Sequence, residues 1–283
     1  MAGLWNGFQL TNLALRSTIP GDGQRNLETV QELLDQPPYQ GSSFVGISVP
    51  TSVGPDGILR ADDGVIGWGE YPLGSILSHQ QRRVIAFSDV ECGAIAEARW
   101  GAGHHARFVL YITIGTGLSH CYVVDDHPLV GYTSSGFYCG YTIPTRCPQR
   151  NCHADTTENV CAGPAIARAY SGDRHARDAR PVFDRASQGD SRALAVLEHA
   201  AWHLGTMIAD LIHILNPEII IMGGGIGSAV ASYREQAVSV ARSLVRPDEC
   251  KNVPVVPAAF ANTSCCVGAA ALASSIGLER HGL

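Results

Sequence analysis

The chain has 283 residues, 45% of them hydrophobic and 16% charged, with a formal net charge of -6. That is enough apolar material for a full core in one large domain or two ordinary lobes. Lys251 is the only lysine and no Lys/Arg block stands out, so neither nucleic acid nor another polyanion is expected as a partner. No apolar run reaches the roughly 18 residues of a membrane span. The opening segment MAGLWNGFQLTNLALRSTIPGDGQ lacks a basic stretch followed by an apolar one, so a cytoplasmic chain without a signal peptide is expected.

In chain order, GFQLTNLALRST reads as a strand. Asn26 to Gln36 reads as a helix capped by Asn26, with Val30, Leu33 and Leu34 as its apolar stripe. Ser43 to Pro50 is a buried strand ended by proline, and SVGPDGILRADDG is a turn and short hairpin. The strand Arg82–Val90 leads into the helix ECGAIAEARW, closed by Gly101, which puts Ser88 and Asp89 at a strand-to-helix junction. ARFVLYITIG and HCYVVDDHPL are paired strands, the second turning at Asp125–Asp126. The stretch from Gly131 to Asp155 has no clear period.

AGPAIARAYSG is helical, and Asp190–Leu215 is a long amphipathic helix capped by Asp190. NPEIIIMGGGIGSA is a parallel-type strand followed by a glycine turn. The helix YREQAVSVARSLV, the strand VPVVPAAF and the small-residue helix CCVGAAALASSIG complete the chain. Alternating strands and helices define an α/β class.

Three features could carry chemistry. In YITIGTGLSHCYVVDD, the residues Thr113, Gly115, Thr116 and Gly117 expose successive backbone N–H groups without Cβ obstruction, as a phosphate-binding nest does. A plain hairpin turn uses the same residues. Gly223, Gly224 and Gly225 form a second glycine turn after a buried strand, where nucleotides commonly bind; close helix–strand packing uses it equally. This turn is not the dinucleotide fingerprint, because no acidic residue stands about twenty positions on. Asp89, before a helix N-terminus, is placed to be held ionised and to accept a proton from a hydroxyl. An N-cap aspartate occupies the same kind of position.

Nine cysteines are present, an odd number in a long chain, which argues against a secreted disulfide framework and for buried thiols. Only Cys147 and Cys152, followed by His153, have suggestive spacing.

The order of VGISVPTSVGPDGILRADDGVIGWGEYPLGSIL, VIAFSDVECGAIAEARWGAG, VLYITIGTGLSHCYVVDDHPLVG, AGPAIARAY and NPEIIIMGGGIG resembles the ROK family of bacterial sugar kinases and sugar-responsive repressors. The resemblance runs from about residue 12 to the C-terminus. It implies an α/β, actin-like/hexokinase-like two-lobed fold with a central cleft, divided as residues 1–105 and 106–283. It assigns Asp89 as the catalytic base and places Ser88, at the position of a family asparagine, beside it on the sugar. Thr113 to Gly117 would be a phosphate loop and Gly223–Gly225 the adenosine-side loop, with ATP and Mg²⁺ as cofactors and a homodimer as the common assembly. No helix-turn-helix segment precedes the matching part, so a repressor is not expected.

Departures from the family pattern set further expectations. No Asp-x-Gly-Gly-Thr loop precedes the first strand, so the first lobe reads as truncated there, and a non-catalytic sugar- or nucleotide-binding relative is the alternative to a kinase. The family's sugar-binding Glu and metal-binding His fall on Phe137 and Gly140. An amino hexose such as kanosamine is the altered substrate this suggests. The family zinc motif has become CPQRNCHADTTENVC, leaving Cys147, Cys152 and His153, with Cys139 or Cys161, as the residues for a structural Zn²⁺. Ser119, His120 and Cys121 follow the first glycine loop where relatives continue with glycine, and are expected to crowd it.

Overall fold

The computed structural model describes residues 1–60, 66–144, 156–246 and 248–279. The N-terminal part begins with the antiparallel pair β1 (Ala2–Trp5) and β2 (Leu10–Ala14), then helix α1 (Gly23–Leu34). The helix starts ahead of the expected position. Its cap is Asp22, whose Oδ1 accepts the Arg25 N–H at 3.0 Å. Asn26 lies inside the helix and is 6% exposed. Its amide pins two distant carbonyls, donating to Ile19 O at 2.9 Å and Ile66 O at 3.0 Å. Those partners are remote in sequence, so the residue type read as a cap when it is a buried tie.

Strand β3 (Phe44–Val49), the short α2 (Leu73–Leu77) and strand β4 (Arg83–Ser88) follow, and α3 (Asp89–Trp100) leaves the end of β4. β3 and β4 are parallel, in register from Phe44↔Arg83 to Val49↔Ser88. Their core, with Leu59, Leu73 and Val84, is covered by Leu27 of α1.

The second part is built on a five-stranded sheet. β5 (Phe108–Ile114) and β6 (Leu118–Val124) are an antiparallel hairpin. β7 (His127–Leu129) extends it on one side, and β8 (Ile219–Gly223) and β9 (Val255–Pro257) on the other, giving the order β7-β6-β5-β8-β9. β5, β8 and β9 are mutually parallel. Asp125 and Asp126 turn β6 into β7 with positive φ, a conformation aspartate tolerates better than most residues.

Helices α4 (Glu158–Cys161), α5 (Gly163–Ser171) and α6 (Arg180–Ser187) lead to α7 (Ser191–Leu215). Asp190 caps α7 as expected, accepting the Ala193 N–H at 2.9 Å. The turn α8 (Gly224–Gly227), α9 (Ala231–Leu244) and α10 (Ser264–Glu279) complete the element list. Leu204, Ile208 and Ile212 of α7 pack on one face of the sheet against Leu110 and Ile112. The other face is covered by α3 and α10 through Ile95, Ala98, Ala269 and Leu272.

Helix α10 returns to the first part and packs on β3 and α3. A Cβ at Gly46 would overlap the Ala269 carbonyl, and one at Gly268 would overlap that of Cys92, so backbones meet directly at both points. Glu97 of α3, fully buried, fixes the return. Its carboxylate accepts the N–H groups of Ala102 (3.0 Å), Ala259 (2.9 Å) and Phe260 (2.8 Å) and the Ser264 hydroxyl (3.1 Å). Among the described residues, no helix is long and apolar enough to cross a membrane.

Candidate functional site

The two glycine turns leave neighbouring strands at the same end of the sheet, because Thr113 of β5 stands opposite Gly223 of β8 in parallel register. YITIGTGLSHCYVVDD is a hairpin, with Ile114 opposite Leu118 and Gly115–Gly117 as its three-residue turn. The turn is closed by Gly115 N–H donating to Gly117 O at 3.0 Å, and its tip residue Thr116 is exposed.

The second turn packs against the first. Gly224 has φ +76, and a Cβ there would overlap the Ile114 carbonyl. A Cβ on Gly115 would lie 3.7 Å from Gly225 N, while Gly225 itself faces open space. The first residue of α5 joins them, Gly163 N–H donating to Gly115 O at 2.8 Å. A hairpin tip and a strand-to-helix turn are thus held side by side with backbone N–H groups near one another. That is the arrangement an oligophosphate can use.

Asp89 opens α3 where β4 ends. Its carboxyl is half-buried and accepts the Val90 N–H at 2.7 Å. Burial pushes its pKa up to about 6, against the smaller pull of the helix-end N–H groups. Desolvation is thus a larger influence on this carboxyl than the helix end. At pH 7 the group remains ionised by about ten to one.

Ser88, expected at the substrate, is 3% exposed and serves as the N-cap position of α3 without a side-chain cap bond. Its N–H is instead taken by Glu91, the reciprocal half of a capping box. Burial pushes the Glu91 carboxyl up to about 7.

Tyr111 links Asp89 to the loops, and its sequence gave no signal beyond a lone tyrosine in an apolar strand. It is 3% exposed. A Cβ on Gly93 of α3 would lie 2.9 Å from its hydroxyl, and its ring also lies against Gly223. The hydroxyl hydrogen-bonds the Thr113 side chain and is within electrostatic reach of Asp89; burial drives its pKa far up, so it stays protonated. Cys265 completes this side, its thiol 3.5 Å from the Asp89 carbonyl, and burial pushes that thiol up to about 12.

Glu158 is a second residue the sequence reading passed over. Its Oε2 accepts the Leu118 N–H at 2.8 Å, and a Cβ on Gly117 would sit 3.0 Å from the same oxygen. A carboxylate therefore flanks the first glycine turn. The signal was an acidic residue just ahead of AGPAIARAY. Gly140 and Phe137 lie on the same side: Gly140 packs on the Leu118 carbonyl and Glu158, and Phe137 is 2% exposed.

The expectation that Cys121 crowds the loop is corrected. It points the other way, fully buried in the core beside α3. His120 lies on the opposite face, its Nδ1 buried without a partner among the described residues.

Cys147, Cys152 and His153 lie outside the described residues. Cys139 and Cys161 are buried thiols outside any disulfide, the first pushed up to about 12 by burial, the second donating to Ala200 O at 3.4 Å. Among the described residues, no group of three or more His, Cys, Asp or Glu could hold a metal ion. Cys139 and Cys161 thus show no zinc site of their own.

A five-stranded sheet with both glycine turns at one end, joined to a smaller parallel pair that carries a carboxylate at its strand end, defines the class: the actin-like, hexokinase-like α/β fold. The ROK family profile matches residues 17–276, and the chain belongs to that family.

Among curated relatives, the glucokinase of Halalkalibacterium halodurans is 31% identical over 217 residues, which cover 66% of this chain and 63% of that protein. The N-acetylmannosamine kinase of Yersinia pestis is 28% identical over 234 residues, 80% of this chain and 78% of that one. Of solved structures, the ROK hexokinase of Thermus thermophilus superposes with TM-score 0.81 at 24% identity, covering 98% of this chain and 95% of that one. The ROK glucokinase of Streptomyces griseus, solved with glucose and AMPPNP, has TM-score 0.78 at 20% identity, covering 94% and 93%. These two structures share the fold.

Proposed function

We propose that the chain is a sugar kinase that transfers the γ-phosphoryl group of ATP to a hydroxyl of a hexose or amino hexose, with Asp89 as general base. The observation that carries this reading is the Thr113↔Gly223 register, which brings both glycine turns together on the same sheet end, with Tyr111 joining them to Asp89. The relatives named above as sugar kinases, and the neighbour that binds glucose and AMPPNP, support it.

In this reading the N–H groups of Thr116–Gly117 and Gly224–Gly225 hold the phosphates, and Mg²⁺ bound with the nucleotide would neutralise charge on the phosphate oxygens. The sugar hydroxyl oxygen forms a bond to the γ-phosphorus as the bond to the β-phosphate oxygen breaks. The hydroxyl proton passes to Asp89, and ADP leaves. Placing phosphate and hydroxyl in line supplies most of the acceleration such sites achieve. Glu158, beside the first turn, is a further group for sugar hydroxyls. The division into lobes at residues 105/106, a cytoplasmic location and a homodimer are proposed with this reading.

Binding without turnover is the second reading. It is favoured by β3, which has β4 as its only strand partner among the described residues, a small sheet beside the five-stranded one. One experiment separates the two. The protein is incubated with Mg²⁺, ATP and a panel of hexoses and amino hexoses, and ADP is followed. ADP release on at least one sugar, lost in Asp89→Asn, is expected; no ADP above background across the panel overturns the kinase reading in favour of binding alone.

A further inference from the structure

Helix α7 carries two histidines, His199 and His203, four residues apart, so their side chains leave the same face one turn above the other. Leu204 packs on the sheet, and an α-helix turns about 100° per residue, so His203 stands to one side of that packed face. The His203 side chain is nevertheless only 2% exposed, and neither Nδ1 nor Nε2 has a hydrogen-bond partner among the described residues. A neutral imidazole carries one N–H and one lone pair, and leaving both buried and unmet costs free energy. The proposed catalytic machinery makes no use of this ring.

Two other rings frame it. His199, half-buried, stands edge-on to His203 with centroids 4.8 Å apart and planes at 89°, and its own Nδ1 is buried. The half-buried Trp202 ring crosses His203 at 87° with centroids 4.9 Å apart. Aromatic packing accounts for the crossed planes, but two phenyl rings would supply it without orphaned nitrogens. Two imidazoles that bind one ion through nitrogens about 2.1 Å from it, at about 90–110° to each other, have centroids about 4.5–5.2 Å apart. The observed separation of 4.8 Å falls within that span.

We infer that His199 and His203 form a binding site for a divalent transition-metal ion, each supplying one ring nitrogen, with water in the remaining positions. Imidazole pairs suit zinc, nickel and copper ions, whereas magnesium and calcium take oxygen ligands. In metallopeptidase helices with this spacing a glutamate follows the first histidine as general base. Here Ala200 follows it, so the pair binds an ion without a base for hydrolysis. The bound ion bridges successive turns of α7, the helix that leads directly into β8 and the Gly223 turn. Binding to the folded helix alone stabilises it by mass action.

The test uses Ni²⁺, because the cysteines of this chain would also take softer or more thiophilic ions such as Cu⁺ and Zn²⁺. The untagged chain is titrated with Ni²⁺ by calorimetry, and its melting temperature is read with and without the ion. One ion per chain is expected, with a rise in melting temperature of about 3 °C or more once the ion is in hundredfold excess over its Kd. In His203→Phe, which keeps an aromatic ring in place, and in His199→Gln, the Kd should rise about tenfold or more and the melting shift should vanish. His199 is only half-buried, so His199→Gln carries the test if His203→Phe folds poorly.

No saturable Ni²⁺ binding by the parent chain overturns the proposal. So does unchanged affinity in both variants; its loss on replacing Cys147 and Cys152 with serine would then assign the ion to the cysteines. Weakened binding in only one of two folded variants leaves a single imidazole as ligand and overturns the pair. Neither readout involves ADP release, so the site stands or falls separately from the kinase reading.

Discussion

Thr113 and Gly223 stand directly opposite each other on the parallel strands β5 and β8, and this one register brings both glycine turns to the same edge of the sheet. A shift of one residue would send the side chains of one strand to the opposite face and move Tyr111 off Gly223. Tyr111, two residues before Thr113, then lies under Gly223 and reaches α3 at Gly93. The spacing that brings the two glycine turns together therefore also sets their distance from Asp89.

If Asp89 is the base, activity should carry its ionisation. Burial raises this carboxyl to about 6, so kcat/KM should fall about tenfold per pH unit below that value and level off above it. Glu91, raised to about 7 two residues along α3, is the competing source of such a limb. The limb near 6 is expected to persist in Glu91→Gln. A limb that vanishes in that variant would assign the titration to Glu91 and remove Asp89 from the role.

The same shift predicts a gain in stability when Asp89 is neutralised. A carboxyl whose folded pKa is raised penalises the native state wherever it is ionised. The penalty is complete above about 6 and absent below the ordinary value of 3.8. Asp89→Asn should therefore melt higher than the parent at pH 8 and no higher at pH 4, while losing activity at both. A lower melting temperature at pH 8 would mean that Asp89 is stabilising, contrary to this account. Stability given up at one carboxylate for chemistry is the pattern expected of a catalytic group.

Features specified by neighbouring residues could be read from the sequence, as Asp190 at the head of α7 was, its acceptor position and first apolar turn being contiguous. The glycine turns were legible too, since each is one strand end and a few residues. What escaped was set by residues far apart in the chain. Asn26 looked like a cap because its ties to Ile19 and Ile66 cannot be read locally. Tyr111 and Glu158 gain meaning only when β5 meets α3 and when α4 meets the first glycine turn. The Asp89 pKa likewise depends on how deeply its helix end is buried, which no spacing reports.

Glu97 makes a prediction independent of catalysis. Its two oxygens receive four donors from the turn after α3 and the entry to α10. Glu97→Gln replaces one accepting oxygen with an NH₂ that faces donors, which should cost roughly 2–4 kcal/mol. Urea unfolding should show it as a lower midpoint with an unchanged slope. A loss under about 0.5 kcal/mol, the scale of an ordinary surface change, would mean that the clamp does not hold α10.

The two central glycines of the second turn should separate folding from nucleotide binding. Gly224 has φ +76 and a Cβ there meets the Ile114 carbonyl, so Gly224→Ala should lose about 2 kcal/mol or more. Gly225 has open space around its Cβ position, and Gly225→Ala should change stability by less than about 0.5 kcal/mol. That open space is where the proposed phosphate cradle lies. The added methyl should therefore raise the Kd for ATP about tenfold, measured by titration calorimetry, while the melting temperature stays put. Unchanged ATP affinity in a folded Gly225→Ala protein would remove this turn from the nucleotide site, and unchanged stability in Gly224→Ala would show that the turn relaxes where the packing says it cannot.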